Sequence, residues 1–241
     1  MKATTNPLSN KITTFTATTI RSNVRKIILN TLEELYDYTN LEGCKHIIGY
    51  DMWDEPSGNK KIYIDYLKSL NDNFDSEIIV MPVEKQGLGR TVTSATNIIK
   101  TPYIFCLEHD WKFLRKIDFN KFLDVMDNHN EINYLRFWSK GKIIPRHNYD
   151  SRLIEDTEIK DIPLIKVWCY SGNPHIVRTD FIREKSDIIN SFNCHKPSKN
   201  YEEPLTIAYR KDAREMGHDN AHKKWGIYIA GKLGDNPYLE P

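Results

Sequence analysis

Thr101-Pro102-Tyr103-Ile104-Phe105-Cys106-Leu107-Glu108-His109-Asp110-Trp111 carries the sharpest contrast in the chain. Pro102 steers the residue before it out of the helical region, so any helix preceding it ends there. The five apolar residues from Tyr103 to Leu107 then run without a break, the pattern of a strand buried on both faces. Directly after them stand Glu108, His109 and Asp110, before Trp111 restores apolar character. Charge set against a core strand costs desolvation that a function would explain, although Asp is also common in loops at strand ends.

The flanking sequence repeats one unit. Ile12 to Ala17 is a β-branched and aromatic run, and after Ser22 the set Val24, Ile27, Ile28, Leu32 and Leu35 has helical spacing. Lys45 to Asp51 reads as a second strand, Ile62, Tyr66, Leu67 and Leu70 as a second helix, and Glu77 to Val83 as a third strand. A Gly-containing loop, Gln86 to Arg90, leads into a helix bearing Val92, Ala95, Ile98 and Ile99. Beyond the opening stretch, Phe119, Phe122, Leu123 and Met126 mark another helix, and Ile132 to Trp138 another strand. Successive strand-helix units predict a mostly parallel, helix-flanked α/β sheet of Rossmann-like type with right-handed crossovers.

The second half is less regular. Lys140 to Asp161 reads as loop, Leu164 to Tyr170 as a strand, and Ser171-Gly172-Asn173-Pro174 as a turn. Thr179 is expected to cap a helix reaching Ile189, and Glu202 to Met216 forms a helix that Gly217 ends. One short strand, Ile227 to Ala230, precedes a final Gly- and Pro-containing loop.

A length of 241 residues suits one domain over 1–241, divided into a ligand-binding half, 1–115, and an irregular half, 116–241. The 34 basic and 33 acidic side chains nearly cancel, so no global field draws the chain to nucleic acid or anionic membrane. Cys44, Cys106, Cys169 and Cys194 form no C-x-x-C pair and read as buried thiols. Met1 to Lys11 lacks an apolar leader core, and no apolar run could span a bilayer, so a cytoplasmic location is expected.

Ligands of open parallel sheets bind at the carboxyl ends of the strands, where the strand order reverses. The loop Thr18 to Arg21, Asp51, the loop Gln86 to Arg90, and Glu108-His109-Asp110 are all expected there. Carboxylates one residue apart at a strand end suit a hard cation, Mg²⁺ or Mn²⁺, with a diphosphate completing the oxygen shell.

With these residues in place the chain resembles the nucleotide-sugar-dependent glycosyltransferases of the GT-A fold, in particular the family-2-like group. The likeness lies in the strand Ile12 to Ala17, in Asp51, in Gly87-x-Gly89-Arg90 through Asn97 to Pro102, and in Tyr103 to Asp110, which looks like that group's strand ending in a DxD triplet. It covers about the first 115 residues well and the rest loosely. Glu108 departs from the pattern, replacing the first Asp with a longer arm of the same charge.

The resemblance implies that Thr16, Thr18 and Arg21 lie beside the nucleotide, that Asp51 meets base or ribose, and that Arg90 approaches the diphosphate or base. It makes Asp110 and Glu108 the metal ligands. It implies a nucleotide-sugar donor, a carbohydrate or glycoconjugate acceptor, and a carboxylate base at Glu203, with Glu202 as its substitute. Ser171 to His175 would face the acceptor. Each residue also has a plain reading: Asp51 as a turn cap, Arg90 as a solvated helix start, Glu202 and Glu203 as first-turn acids favoured by the helix dipole. His218 and His222 have the spacing of two ligands on one helical face but lie in a polar stretch that reads as solvated surface. Trp53, Trp111, Trp138 and Trp225 are either sugar platforms or core. Two rivals stand beside this reading. A sugar-phosphate nucleotidyltransferase would carry a glycine-rich basic fingerprint where this chain has Thr18-Thr19-Ile20-Arg21, and a non-catalytic carbohydrate- or nucleotide-binding protein could share the fold.

Overall fold

The computed structural model describes residues 6–19, 24–51, 57–83, 87–139, 141–144, 153–156, 158–191 and 201–241. The elements in chain order are β1 (Ile12–Thr18), α1 (Val24–Tyr38), β2 (His46–Asp51), α2 (Ser57–Ser69), β3 (Ile78–Val83), α3 (Gly87–Thr96), β4 (Tyr103–Glu108) and β5 (Lys112–Phe113). They continue with α4 (Phe119–Asn128), β6 (Tyr134–Phe137), β7 (Leu153–Glu155), β8 (Leu164–Val167), β9 (His175–Arg178), α5 (Thr179–Glu184) and α6 (Ser186–Ser191). The last are α7 (Glu202–Met216), α8 (His218–Trp225), β10 (Ile227–Ala230) and β11 (Leu239–Glu240).

Nine strands form one sheet in the order β3-β2-β1-β4-β9-β6-β10-β8-β7. The block β3-β2-β1-β4 is parallel throughout, and β6 and β10 continue its direction, while β9 and β8 run against it. This is the mostly parallel, helix-flanked sheet that the sequence predicts. The strand order turns back between β1 and β4. Pro82 is tolerated in β3 because that strand lies at the edge, where one side of the backbone needs no ladder partner.

Alternation along β4 divides the core. Tyr103, Phe105 and Leu107 pack with Leu32 of α1, Leu67 of α2 and Phe119 and Met126 of α4. Ile104 and Cys106 face the opposite layer, which holds Ala95 of α3, Phe181 of α5, Tyr209 of α7 and Trp225 of α8. Cys44 and Cys106 are buried free thiols and Cys169 is a partly buried one; Cys194 lies outside the described residues. Trp111, Trp138 and Trp225 are buried, so they belong to the core; Trp53 is outside the described residues.

The structure departs from the sequence reading mainly in the second half. His175–Arg178, which lies between the expected turn at Ser171–Pro174 and the expected cap Thr179 and for which the sequence predicts no element, is strand β9, and it lies in the middle of the sheet between β4 and β6. Four residues ending in Arg carry too little apolar pattern to announce a strand. Arg178 is nonetheless consumed within the fold, donating from Nε to the Ile132 carbonyl at 2.9 Å. Arg178 rather than Thr179 occupies the N-cap of α5; the Thr179 hydroxyl donates instead to the Thr101 carbonyl at 2.7 Å. The expected helix to Ile189 breaks at Lys185 into α5 and α6. Gly217 ends α7 as expected, but a further helix, α8, starts immediately after it. On α8 His222 is 4 % exposed, a core residue and not part of a solvated surface.

Gly226 closes α8 with φ +55°, and a Cβ there would stand 1.8 Å from the Glu131 carbonyl oxygen. Its own carbonyl accepts from the amides of Asn133 and Tyr134, both at 3.0 Å, so it brings β10 alongside β6. Backbone conformation and space therefore both demand glycine. Gly226→Ala is expected to cost about 3 kcal/mol, read as a lower urea midpoint at unchanged slope.

Candidate functional site

The parallel register brings the carboxyl ends of β2, β1 and β4 to one edge, with Thr18 opposite Tyr50 and Ala17 opposite Glu108. Asp51 and Glu108 are therefore two strands apart, roughly 10 Å at the usual spacing. Both are half-buried, as is Asp110 in the turn after β4. Asp51 Oδ2 accepts the amide of Gly87 at 2.8 Å, fixing the start of α3 against the strand ends. The Thr18 hydroxyl meets the Tyr63 hydroxyl at 2.8 Å and so ties α2 to the same edge.

His109, in the middle of the acidic triplet, turns inward. It is 6 % exposed, its Nδ1 lies 3.3 Å from the Ala17 carbonyl, and its own carbonyl accepts the Thr31 hydroxyl at 2.8 Å. These contacts hold the triplet between β1 and α1.

Across this edge lies the start of α7. Glu202 Oε1 accepts from the Gly172 amide and, at 3.2 Å, from the Ser171 hydroxyl. The loop before β9 is pinned to α7 a second time, by Tyr170 N donating to Thr206 Oγ1 at 3.1 Å. Beneath it Tyr134, Tyr170, His175 and Tyr201 form an aromatic floor with the Tyr134 ring 4.4 Å from Tyr170 and 4.5 Å from His175. Burial holds the Tyr201 phenol well above its usual pKa. Tyr201 also packs on the start of α3, where a Cβ on Gly89 would stand 3.3 Å from its own Cβ, and this contact links the strand edge to α7.

No protein-family model and no curated protein matches the chain. Solved structures do. S. aureus TarS 1-349 aligns over 95% of this chain and 60% of its own, at 15% identity and TM-score 0.54. TarS 1-349 in complex with UDP aligns over 96% and 60%, at 16% identity and TM-score 0.56. TarS 1-349 in complex with UDP-GlcNAc gives 96% and 58%, again at 16% identity and TM-score 0.56. The chain shares the fold of S. aureus TarS. It spans about 60% of the length of that TarS 1-349 chain.

The residues expected from sequence fall into separate places on this fold. Thr18, Asp51, Glu108 and Asp110 gather at the carboxyl edge near the reversal of strand order. Thr16 lies inside the sheet, fully buried, with its hydroxyl 2.8 Å from His46 Nε2. Arg90 lines a groove of about 480 Å³ between α3 and the α5–α6 pair, together with Thr93, Asn97, Arg183 and Asn190. Arg21 lies outside the described residues. Glu203 is exposed, whereas Glu202 is half-buried and directed at the 171–172 loop. His222 packs 6.1 Å from the Trp168 ring and 4.8 Å from Tyr228, and burial lowers its pKa to about 4.

Among the described residues no cluster of three or more His, Cys, Asp or Glu could cage a metal. Glu108 and Asp110 offer oxygen donors only. That set fits a hard ion held by one or two carboxylates and completed by substrate phosphates and water. Ser139 and Asn173 lie on the second-half side of the edge without any sequence motif to announce them, the side-chain amide of Asn173 donating to the Ser139 hydroxyl at 2.9 Å.

Proposed function

We propose that the protein is a glycosyltransferase that moves a sugar from a nucleotide diphosphate sugar to a hydroxyl of a glycan or glycoconjugate, with inversion. One observation supports the reading: on a fold shared with a protein crystallised with UDP-GlcNAc, Asp51, Glu108 and Asp110 lie along one carboxyl edge beside the strand-order reversal, and the loop that holds Glu202 precedes β9, the strand next to β4. In such a transfer the acceptor oxygen bonds to the anomeric carbon as the sugar–phosphate bond breaks, and the diphosphate leaves with the bonding pair. A carboxylate takes the acceptor's proton. Asp51 is suited to the nucleoside, since a strand-end carboxylate accepts from ribose hydroxyls. Asp110 and Glu108 would hold Mn²⁺ or Mg²⁺, whose charge would offset that of the departing diphosphate.

Calorimetric titration with UDP tests the donor site. Binding is expected to strengthen with Mn²⁺ and to weaken at least about tenfold in Asp110→Ala, because that variant removes an anionic ligand. UDP affinity indifferent to both metal and variant would overturn the assignment.

A further inference from the structure

Arg136 sits in the middle of β6, 6 % exposed. Its neighbours along the strand sort by face: Leu135 and Phe137 enter the α4 layer, Tyr134 and Trp138 the α7 layer. Strand alternation puts Arg136 with the latter pair, on the same side as Glu202's helix. Across the ladder it lies opposite His175 of β9 and Ile229 of β10. Among the described residues no carboxylate lies within ion-pair distance of its guanidinium, and its Nε has no hydrogen-bond partner; the guanidinium carbon stands 5.7 Å from the centre of the Trp138 ring. Buried arginines are otherwise paired, since an uncompensated charge in the interior is strongly unfavourable.

The position of this cation is informative. Tyr134, on the same face, donates from its hydroxyl to the Ser171 carbonyl, and the Ser171 hydroxyl donates to Glu202 Oε1 at 3.2 Å, so this face of β6 and Glu202 meet at one loop. By strand count β6 lies two spacings, roughly 10 Å, beyond β4 and the Glu108–Asp110 turn. That sets it apart from the Glu108–Asp110 turn and on the side of Glu202's helix.

We infer that Arg136 receives an anionic group, a phosphate or carboxylate, carried by the acceptor close to its attacking hydroxyl. This rests on the glycosyltransferase reading for the word acceptor, but the anion site itself does not. The guanidinium fork matches a phosphate or carboxylate with paired N–H donors, and the uncovered charge becomes favourable once the ligand arrives. An acidic acceptor would then be selected over a neutral one by a side chain that the donor does not use.

The test uses the full chain saturated with UDP and Mn²⁺, titrated with glycerol phosphate, glycerate and glycerol, and repeated without UDP. Glycerol phosphate or glycerate is expected to bind and glycerol to show no heat. Arg136→Gln should weaken the anion at least about tenfold, Arg136→Lys less, and UDP affinity should stay as in the wild type. Arg136→Met should melt no lower than the wild type, because it removes a buried charge without a partner. Lower melting in Arg136→Met would show a structural cation, and loss of UDP affinity in Arg136→Gln would assign the side chain to the donor; either overturns the inference. So does wild-type protein that binds neither anion. A wild type that binds anions through Arg136 but ignores UDP would instead sink the donor reading and leave the anion site standing.

Discussion

Glu202→Gln is expected to lower kcat about 10²- to 10⁴-fold while leaving UDP affinity unchanged, and Glu203→Gln to change neither by more than about twofold. The two residues are adjacent in sequence and both lie in the first turn of α7, where the helix dipole favours acids. Their surroundings separate them. Glu203 is exposed, whereas Glu202 is half-buried and bound to the Gly172 amide and Ser171 hydroxyl, which orient its carboxylate at the strand edge. Glutamine keeps the size and an acceptor oxygen for Gly172, so the loop stays in place and only the proton acceptor is lost. Glu202→Ala removes the anchor as well and should add a loss of thermal stability. Gly172→Ala offers an independent approach, because its Cβ would stand 3.0 Å from Glu202 Oε1 and push the carboxylate aside. Full activity in Glu202→Gln, or a large loss confined to Glu203→Gln, would move the base back to the exposed neighbour.

The parallel half of the molecule was legible because its signals are local and redundant. Tyr103 to Leu107 is apolar throughout, its helices carry apolar residues at 3.6-residue spacing, and Asp51 and Glu108 are the last residues of their strands. Strand β9 was illegible for the converse reason. Its place between β4 and β6 depends on pairing with residues about 40 and 70 positions away, and its four residues show no period. The site divides in the same way. Strand-end acids can be read from one dimension, but that Thr16 spends its hydroxyl on His46, or that Arg136 lies buried without a carboxylate, depends on which strands become neighbours. The choice between Glu202 and Glu203 depends on the loop that α7 happens to face.

The protein is expected to lose about 4–6 kcal/mol of stability between pH 7 and pH 5, enough to unfold a typical domain soon below that range. Three histidines set this slope. His46 is fully buried between the Thr16 hydroxyl at Nε2 and the Tyr36 hydroxyl at Nδ1, 3.0 Å away, and burial lowers its pKa to about 3. His175 Nδ1 lies 2.7 Å from the Asn173 carbonyl, which can only accept, so Nδ1 carries the proton and Nε2 faces the Tyr170 hydroxyl. Burial lowers its pKa to about 3 as well, and His222 is lowered to about 4. The sign follows from proton uptake. Below about pH 6.5 the unfolded chain binds protons at these positions and the folded protein does not, so each histidine removes about 1.4 kcal/mol per pH unit until its folded pKa is reached. Asp127, lowered by hydrogen bonds from Tyr103 and Lys11 against the opposing effect of burial, extends the loss below pH 4. His129, raised by its hydrogen bond to Asp161, works in the opposite sense, but Asp161 and Glu131, its acidic partners, are exposed and the effect is screened. Urea unfolding at half-unit steps from pH 7.5 to 4.5 measures the slope, and His46→Gln should reduce the proton count by one. A flat profile down to pH 5 would mean that the histidines are not held neutral. Because His175 lies under the loop that Glu202 pins, acid would also disorder the candidate base. Activity lost through the histidines would track the unfolding curve and recover at the rate of refolding.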